Sequence, residues 1–154
     1  ASESIVIQTP YFIPDEGFME TLKIAIASGI DVKMMIPNKP DHPFIYQATL
    51  YYARELVDAG AEIYIYDNGF IHSKFMVIDG AISTVGTSNF DIRSFKLNFE
   101  INAYLYSDEL SQQLVQDFNN DIDLSYQLTE ERIGEFTKWE LFKQAFSRLL
   151  SPIL

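Results

Sequence analysis

The stretch from Ile71 to Asn89, IHSKFMVIDGAISTVGTSN, carries an imidazole, an ammonium, a hydroxyl and a carboxamide at spacings suited to one phosphodiester. Histidine titrates near neutral pH, with an ordinary pKa of about 6.5, so His72 can attack phosphorus as the free base or release a proton as imidazolium. Lys74 and Asn89 supply hydrogen-bond donors for the non-bridging oxygens, and Thr87 supplies a hydroxyl. Donors fixed where charge develops act most strongly where water is scarce, and losing one costs roughly 3 to 4 kcal/mol of barrier. A histidine in this role needs an acceptor on its other ring nitrogen to set its tautomer and favour the charged ring. Glu100 is the candidate.

These side chains need a frame. Asp79-Gly80 is a two-residue turn signal flanked by the apolar runs 75–78 and 81–85, which predicts a β-hairpin. With Asp79 and Gly80 as the whole loop, Ile78 faces Ala81 and His72 lies opposite Thr87. Residues two apart share a face, so His72, Lys74, Thr87 and Asn89 converge on one patch unless the lone Gly86 introduces a bulge. The next strand is predicted over 98–106, with Phe99, Ile101, Ala103 and Leu105 turned to the core and Asn98, Glu100, Asn102 and Tyr104 turned the other way.

The residues also resemble a family. His72-x-Lys74, four residues to Asp79, and six more to Gly86-Thr87-x-Asn89 is similar to the HKD motif of the phospholipase D superfamily, with Gly-Thr standing for the commoner Gly-Ser. Glu100 falls where that family keeps a carboxylate that binds the catalytic histidine. TPYFIPDEGF, MIPNKPDHPF, NFDIRSFKLNFE and RLLSPIL extend the likeness along the whole chain to the C-terminal half of the bacterial cardiolipin synthases. The resemblance implies a phosphatidyltransferase that joins two phosphatidylglycerol molecules through a phosphohistidine and releases glycerol. It implies catalytic roles for His72, Lys74 and Asp79, substrate contacts from Thr87, Asn89 and Glu100, and no cofactor. Members use two such motifs across a pseudo-twofold axis, whereas this chain has a single His-x-Lys. The expected partner is therefore an N-terminal half carrying the other motif, or a second copy of the chain, with His72 as general acid and base. The fragment alone is expected to be inactive and soluble, and the intact protein to sit at the cell membrane with its catalytic domain on the cytoplasmic side. The start at Ala1, with a strand almost at once, suits an excised domain. Three alternatives stay open: a phosphodiesterase using water, a nuclease completed by homodimerisation, and a non-catalytic interaction lobe.

Other residues have simpler readings. The turn explains Asp79 fully, and the family too keeps this aspartate away from the phosphate. His42 precedes Pro43 and reads as a residue of the region just before a helix, with substrate contact by His42 or Lys39 a lesser alternative. Arg93 and Lys96 either hold a lipid phosphate or are solvated charge. Tyr11 and Phe12 are candidates to line the pocket.

Composition sets the outer limits. The 154 residues, 47% hydrophobic, are enough for one buried core, and the whole of 1–154 is expected to be a single domain of the phospholipase D type, with C-terminal helices over about 129–150. With no cysteine there are no disulfides or thiolate metal sites, and the two distant histidines predict no metal. A net charge of −11 lacks the basic surplus of a nucleic-acid binder, so no nucleic-acid partner is expected. The same charge confines contact with anionic phospholipid to a few local cations and apolar rims. No apolar run approaches the roughly 20 residues that span a bilayer.

The chain alternates in a βαβαβ order, with strands over 4–8, 31–36 and 62–66 and helices over 15–28 and 43–59, followed by the hairpin, the strand over 98–106 and a helix over 108–120. This predicts an α/β fold, a mixed β-sheet sandwiched between helices on both faces. A last helix over 137–150 places Trp139, Phe142, Phe146, Leu149 and Leu150 on one stripe. Core packing is the expected meaning of such a stripe, with docking on a missing lobe or a lipid interface as the alternatives.

Overall fold

A computed structural model describes residues 1–39 and 41–151; Pro40 of the MIPNKPDHPF segment and the last three residues of RLLSPIL lie outside the described residues. In chain order the elements are β1 (Ser4–Gln8), β2 (Phe12–Ile13), α1 (Glu16–Ala27), β3 (Asp31–Pro37), α2 (Pro43–Ala59), β4 (Glu62–Tyr66), β5 (Phe75–Ile78), β6 (Ile82–Gly86) and β7 (Phe90–Asp91). They continue with α3 (Ile92–Lys96), β8 (Asn102–Tyr106), α4 (Asp108–Ile122), β9 (Ser125–Gln127), α5 (Glu130–Gly134) and α6 (Lys138–Leu149). Seven strands form one mixed sheet in the order β8-β6-β5-β1-β3-β4-β9, parallel between β1, β3 and β4 and antiparallel elsewhere. The predicted α/β architecture is the one observed.

Local chemistry sets the boundaries. Asp15 caps α1 by accepting the Phe18 N–H at 3.0 Å. Pro43 opens α2, where its missing N–H costs nothing, and Gly60 closes it at φ 110°, in the left-handed region. The interior strand β3 reads DVKMMIP because it is covered on both faces: Met34 packs toward α1 and α2, and Met35 toward α4. Alternation along β1 divides likewise, with Ile5 and Ile7 in the first core and Val6 in the second beside Phe118 of α4.

The hairpin departs from the predicted register. Asp79 and Gly80 have φ of 52° and 62°, as the predicted turn requires, and the Ala81 N–H closes it on the Ile78 carbonyl at 3.1 Å. The ladder, however, resumes at Ile82 opposite Ile78, so Ala81 is an extra residue in the loop. One added residue reverses every facing relationship, and Gly86, not a neighbour of the opposite parity, now donates its N–H to the Lys74 carbonyl at 3.2 Å. Thr87 therefore does not stand across the ladder from His72. Nor does the slip occur at Gly86.

Asp79 does more than turn the chain. Its carboxylate accepts the N–H groups of Ser2, Glu3 and Ser4 at 2.8 to 3.1 Å and the Ser2 hydroxyl at 3.0 Å, which fastens the hairpin tip to the start of β1. Those backbone donors hold its carboxyl well below the usual carboxylate range. Because the folded state favours the ionised form, the clamp acts fully above the ordinary carboxylate pKa of about 4 and is lost as the pH falls below it. Asp79→Asn, which tolerates the same left-handed backbone, is expected to speed amide hydrogen exchange at residues 2–4 at neutral pH while leaving exchange in β3 unchanged.

Three further expectations are corrected. The predicted strand over 98–106 begins only at Asn102; Phe99 is fully exposed and Ile101 is 75% exposed, because β8 is the sheet's edge and nothing packs over the segment before it. Phe12 does not line a pocket but is wholly buried in the α1–α2 core, its N–H donating to the Thr49 hydroxyl at 3.1 Å. The stripe on α6 is turned outward: Gln144 and Ser147 are the buried residues, and Trp139, Phe142, Phe146 and Leu149 are exposed. A capping box, in which Thr137 and Glu140 exchange hydrogen bonds, starts that helix.

Candidate active site

His72 and Lys74 lie in an extended segment leading into β5, anchored by Ile71, which is buried in the core beneath α4. The imidazole of His72 is exposed, and among the described residues its ring takes no hydrogen bond; it lies against the Phe70 ring with centroids 5.7 Å apart. Lys74 is 8% exposed and donates from Nζ to the His72 carbonyl at 2.8 Å, leaving two of its three N–H groups for other acceptors. Burial pushes the Lys74 ammonium below the usual lysine range, while the charges of Glu100 and Asp91 pull the other way.

Glu100 does not hold His72 as predicted. One of its carboxylate oxygens accepts the Thr87 hydroxyl, and the other accepts Ser94 Oγ and Asn98 Nδ2, each at 3.3 Å. The residues before β8 run as a loop, which brings the carboxylate to the start of α3 and to Thr87. The Thr87 hydroxyl chiefly, then Asn98, Ser94 and the Lys74 charge, hold the Glu100 carboxyl below its usual range against a smaller opposing effect of burial. Thr87 is itself committed: besides Glu100, its oxygen accepts the Ile101 N–H at 3.0 Å. Its role here is to position the carboxylate, where the sequence suggested a hydroxyl free for phosphate.

Asn89 joins this group through Ser94, whose Oγ accepts the Asn89 N–H at 3.2 Å. The carboxamide oxygen of Asn89 is buried and has no partner among the described residues. Ser94 is a member of this hydrogen-bonded group that the sequence did not single out. It is 6% exposed, links Asn89 to Glu100, and is held by Asp91, which caps α3 by accepting the Ser94 N–H at 2.7 Å. The Asp-x-x-Ser spacing at 91–94 is a helix-start signal that could have revealed it.

The site thus has two parts. Thr87, Asn89, Ser94 and Glu100 form a hydrogen-bonded group, and Glu100, Ser88 and Ser94 line a cleft of about 630 Å³ between α1 and the open face of β6 and β8. His72 connects to this group through its carbonyl and Lys74, whose charge is felt at Glu100. Asp79 lies at the far tip of the hairpin, away from both. Lys96 is paired with Asp15 at 3.0 Å, and Arg93 is exposed. Tyr11, Lys39 and His42 come together beside Phe70, with Tyr11 donating to Asp41 and its ring 6.4 Å from that of His42. Burial, reinforced by Asp41, raises the Tyr11 phenol above its usual range. Among the described residues no three His, Asp or Glu side chains cluster as metal ligands, and no helix is long and apolar enough to cross a membrane.

Comparison with known proteins supplies a family for the chain. Residues 1–122 match the family model described as cardiolipin synthase, PLD-like domain. The chain is 56% identical over its full length to a cardiolipin synthase of Listeria monocytogenes, of which it covers 32%, so it spans about a third of the curated relatives it matches. Among solved structures it is similar to the phospholipase D family member Nuc from Salmonella typhimurium, with a TM-score of 0.73, 19% identity and 84% of each chain covered. It is also similar to the phosphatidylserine synthase of Haemophilus influenzae, with a TM-score of 0.75, 16% identity, and 99% of this chain against 42% of that one covered. At such identities the two structures speak for the fold alone.

Proposed function

The chain belongs to the family of cardiolipin synthase phospholipase D-like domains, and from that premise we propose that it is the C-terminal catalytic half of a phosphatidyltransferase that makes cardiolipin. Full-length 56% identity to a named cardiolipin synthase carries the reading, and the intact set of His72, Lys74, Thr87, Asn89 and Glu100 supports it.

In the proposed reaction a histidine of the other motif attacks the phosphorus of phosphatidylglycerol. The bond to the departing glycerol breaks, and imidazolium His72 gives its proton to that oxygen. His72, now neutral, then takes the proton of the second phosphatidylglycerol's hydroxyl as that oxygen attacks phosphorus and the phosphorus–nitrogen bond breaks. In this reading Lys74 and the Asn89 amide group donate to the phosphoryl oxygens, and the negative charges of Glu100 and Asp91 oppose the effect of burial on the Lys74 ammonium. Apart from His72, the set thus acts by electrostatic placement.

The test is assembly. The chain alone is expected to form no cardiolipin, and joining it to the preceding catalytic half of a close relative is expected to restore synthesis from phosphatidylglycerol. Hydrolysis to phosphatidic acid without transfer would favour a water-using phosphodiesterase. Full activity in a self-paired chain would favour a homodimeric enzyme.

A further inference from the structure

The polarity of α6 is inverted relative to a helix that closes a core. Gln144 and Ser147, each 1% exposed, face α2, and the Gln144 carbonyl accepts Arg54 Nη1 at 2.6 Å. The outer side presents Trp139 at 66%, Phe142 at 57%, Phe146 at 46% and Leu149 at 73% exposure. Burying amide and hydroxyl groups while aromatic rings meet water is unfavourable unless something apolar covers the rings. The rings also stack on one another. Trp139 stacks on Phe142 at 5.5 Å and 15°, and Phe142 on Phe146 at 6.3 Å and 23°. With Pro43 and Phe44 they enclose an apolar groove of about 450 Å³.

Charge identifies the cover. The chain carries 22 acids against 11 lysines and arginines, yet α6 holds Lys138, Lys143 and Arg148 against the single acid Glu140. Glu140 is turned back onto Thr137 in the capping box, Arg148 lies over the Tyr51 ring, and Lys143 lines the groove. A local cationic excess beside outward Trp and Phe, on a chain that is otherwise strongly acidic, is complementary to an anionic bilayer surface, where such rings sit at headgroup depth.

Position supports the same occupant. Phe44 follows two residues after His42, whose ring faces Tyr11, and Tyr11, Lys39 and His42 gather beside Phe70, the ring that lies against His72. The start of α2 thus lies next in the chain to the cluster beside Phe70 and the candidate site. We propose that the aromatic face of α6, together with Phe44, seats this chain on the surface of a bilayer rich in anionic phospholipid and so brings the His72 side of the molecule to headgroup level. Phosphatidylglycerol is the lipid of choice because the proposed activity consumes it, so that choice rests on the functional reading above; the seat itself rests on α6.

Trp139 is the sole tryptophan of the chain, which gives a direct reporter. The 154-residue chain is mixed with vesicles of equimolar phosphatidylglycerol and phosphatidylcholine, or of phosphatidylcholine alone, and followed by sedimentation and tryptophan emission. Binding to the anionic vesicles is expected to exceed that to the neutral ones by about tenfold or more, to weaken with salt, and to shift Trp139 emission to the blue. The pair Phe142→Ser and Phe146→Ser, at exposed positions, is expected to lower binding by about tenfold. The pair Lys138→Gln and Lys143→Gln is expected to remove most of the preference for anionic vesicles. Sedimentation indifferent to both pairs overturns the proposal. So does a blue-shifted Trp139 in a lipid-free dimer, or in a complex with the other catalytic half that no longer binds vesicles. His72→Ala is expected to bind as the unmodified chain does. Failure of cardiolipin synthesis in the assembled enzyme therefore leaves this seat untouched, and failure of vesicle binding leaves the chemistry at His72 untouched.

Discussion

Replacing His72 with alanine in the assembled two-lobed enzyme is expected to lower the rate of cardiolipin formation by about 10³-fold or more, since general acid–base catalysis alone contributes about 10² to 10⁴. The fold should not respond. The His72 ring is exposed and takes no hydrogen bond among the described residues, so its removal is expected to change stability by less than about 0.5 kcal/mol. The pairing of lost turnover with an unchanged melting transition distinguishes a reacting group from a packing residue. Conversion of labelled phosphatidylglycerol at saturating substrate, beside a thermal scan, measures both. Retention of more than a tenth of the unmodified rate would remove His72 from the chemistry.

The largest structural effect is expected at Gly86. A methyl group there would stand 2.1 Å from Asn102 Oδ1, 2.2 Å from the Ile101 carbonyl oxygen and 2.6 Å from Asn102 Cα. Two of these three are backbone atoms of the neighbouring segment and cannot swing aside as a side chain would. Gly86→Ala is expected to destabilise the chain by about 3 kcal/mol, at the upper end of ordinary overpacking, read as a lowered midpoint of urea unfolding. It also pushes on the junction where Thr87 and Ile101 exchange hydrogen bonds, so activity in the assembled enzyme should fall with stability. Gly134→Ala is the control: its added methyl meets nothing within 4 Å, and it should be nearly neutral. A stable Gly86→Ala chain would mean that β8 can withdraw from β6.

Much of the scaffold was legible because its signals are local. β1 and β4 fell on their observed limits, and Pro43 and Gly60 bracket α2 in the sequence as they do in space. The motif residues were found by type and spacing. Their mutual arrangement was not, because it depends on long-range hydrogen bonds: the ladder register turned on one extra residue, Ala81, and the carboxylate of Glu100 chose Thr87, Ser94 and Asn98 over the histidine. Periodicity found the stripe on α6 but is blind to which side of an amphipathic helix faces its neighbour; that was decided by Arg54 reaching Gln144. The two-residue strands β2 and β7 and the three-residue β9 are too short to leave a pattern. Thr137-x-x-Glu140, by contrast, is a capping-box signature plain in the sequence.

The bond from Lys74 to the His72 carbonyl has a mechanical corollary. It pins the backbone of residue 72 from one side while buried Ile71 pins it from the other, yet the ring above is unrestrained by hydrogen bonds among the described residues. The imidazole is therefore held at its root by the backbone, and the Phe70 ring lies against it. In the proposed reaction, the group that delivers a proton to one departing alcohol and collects one from another thus stands on a backbone fixed by Lys74 and Ile71.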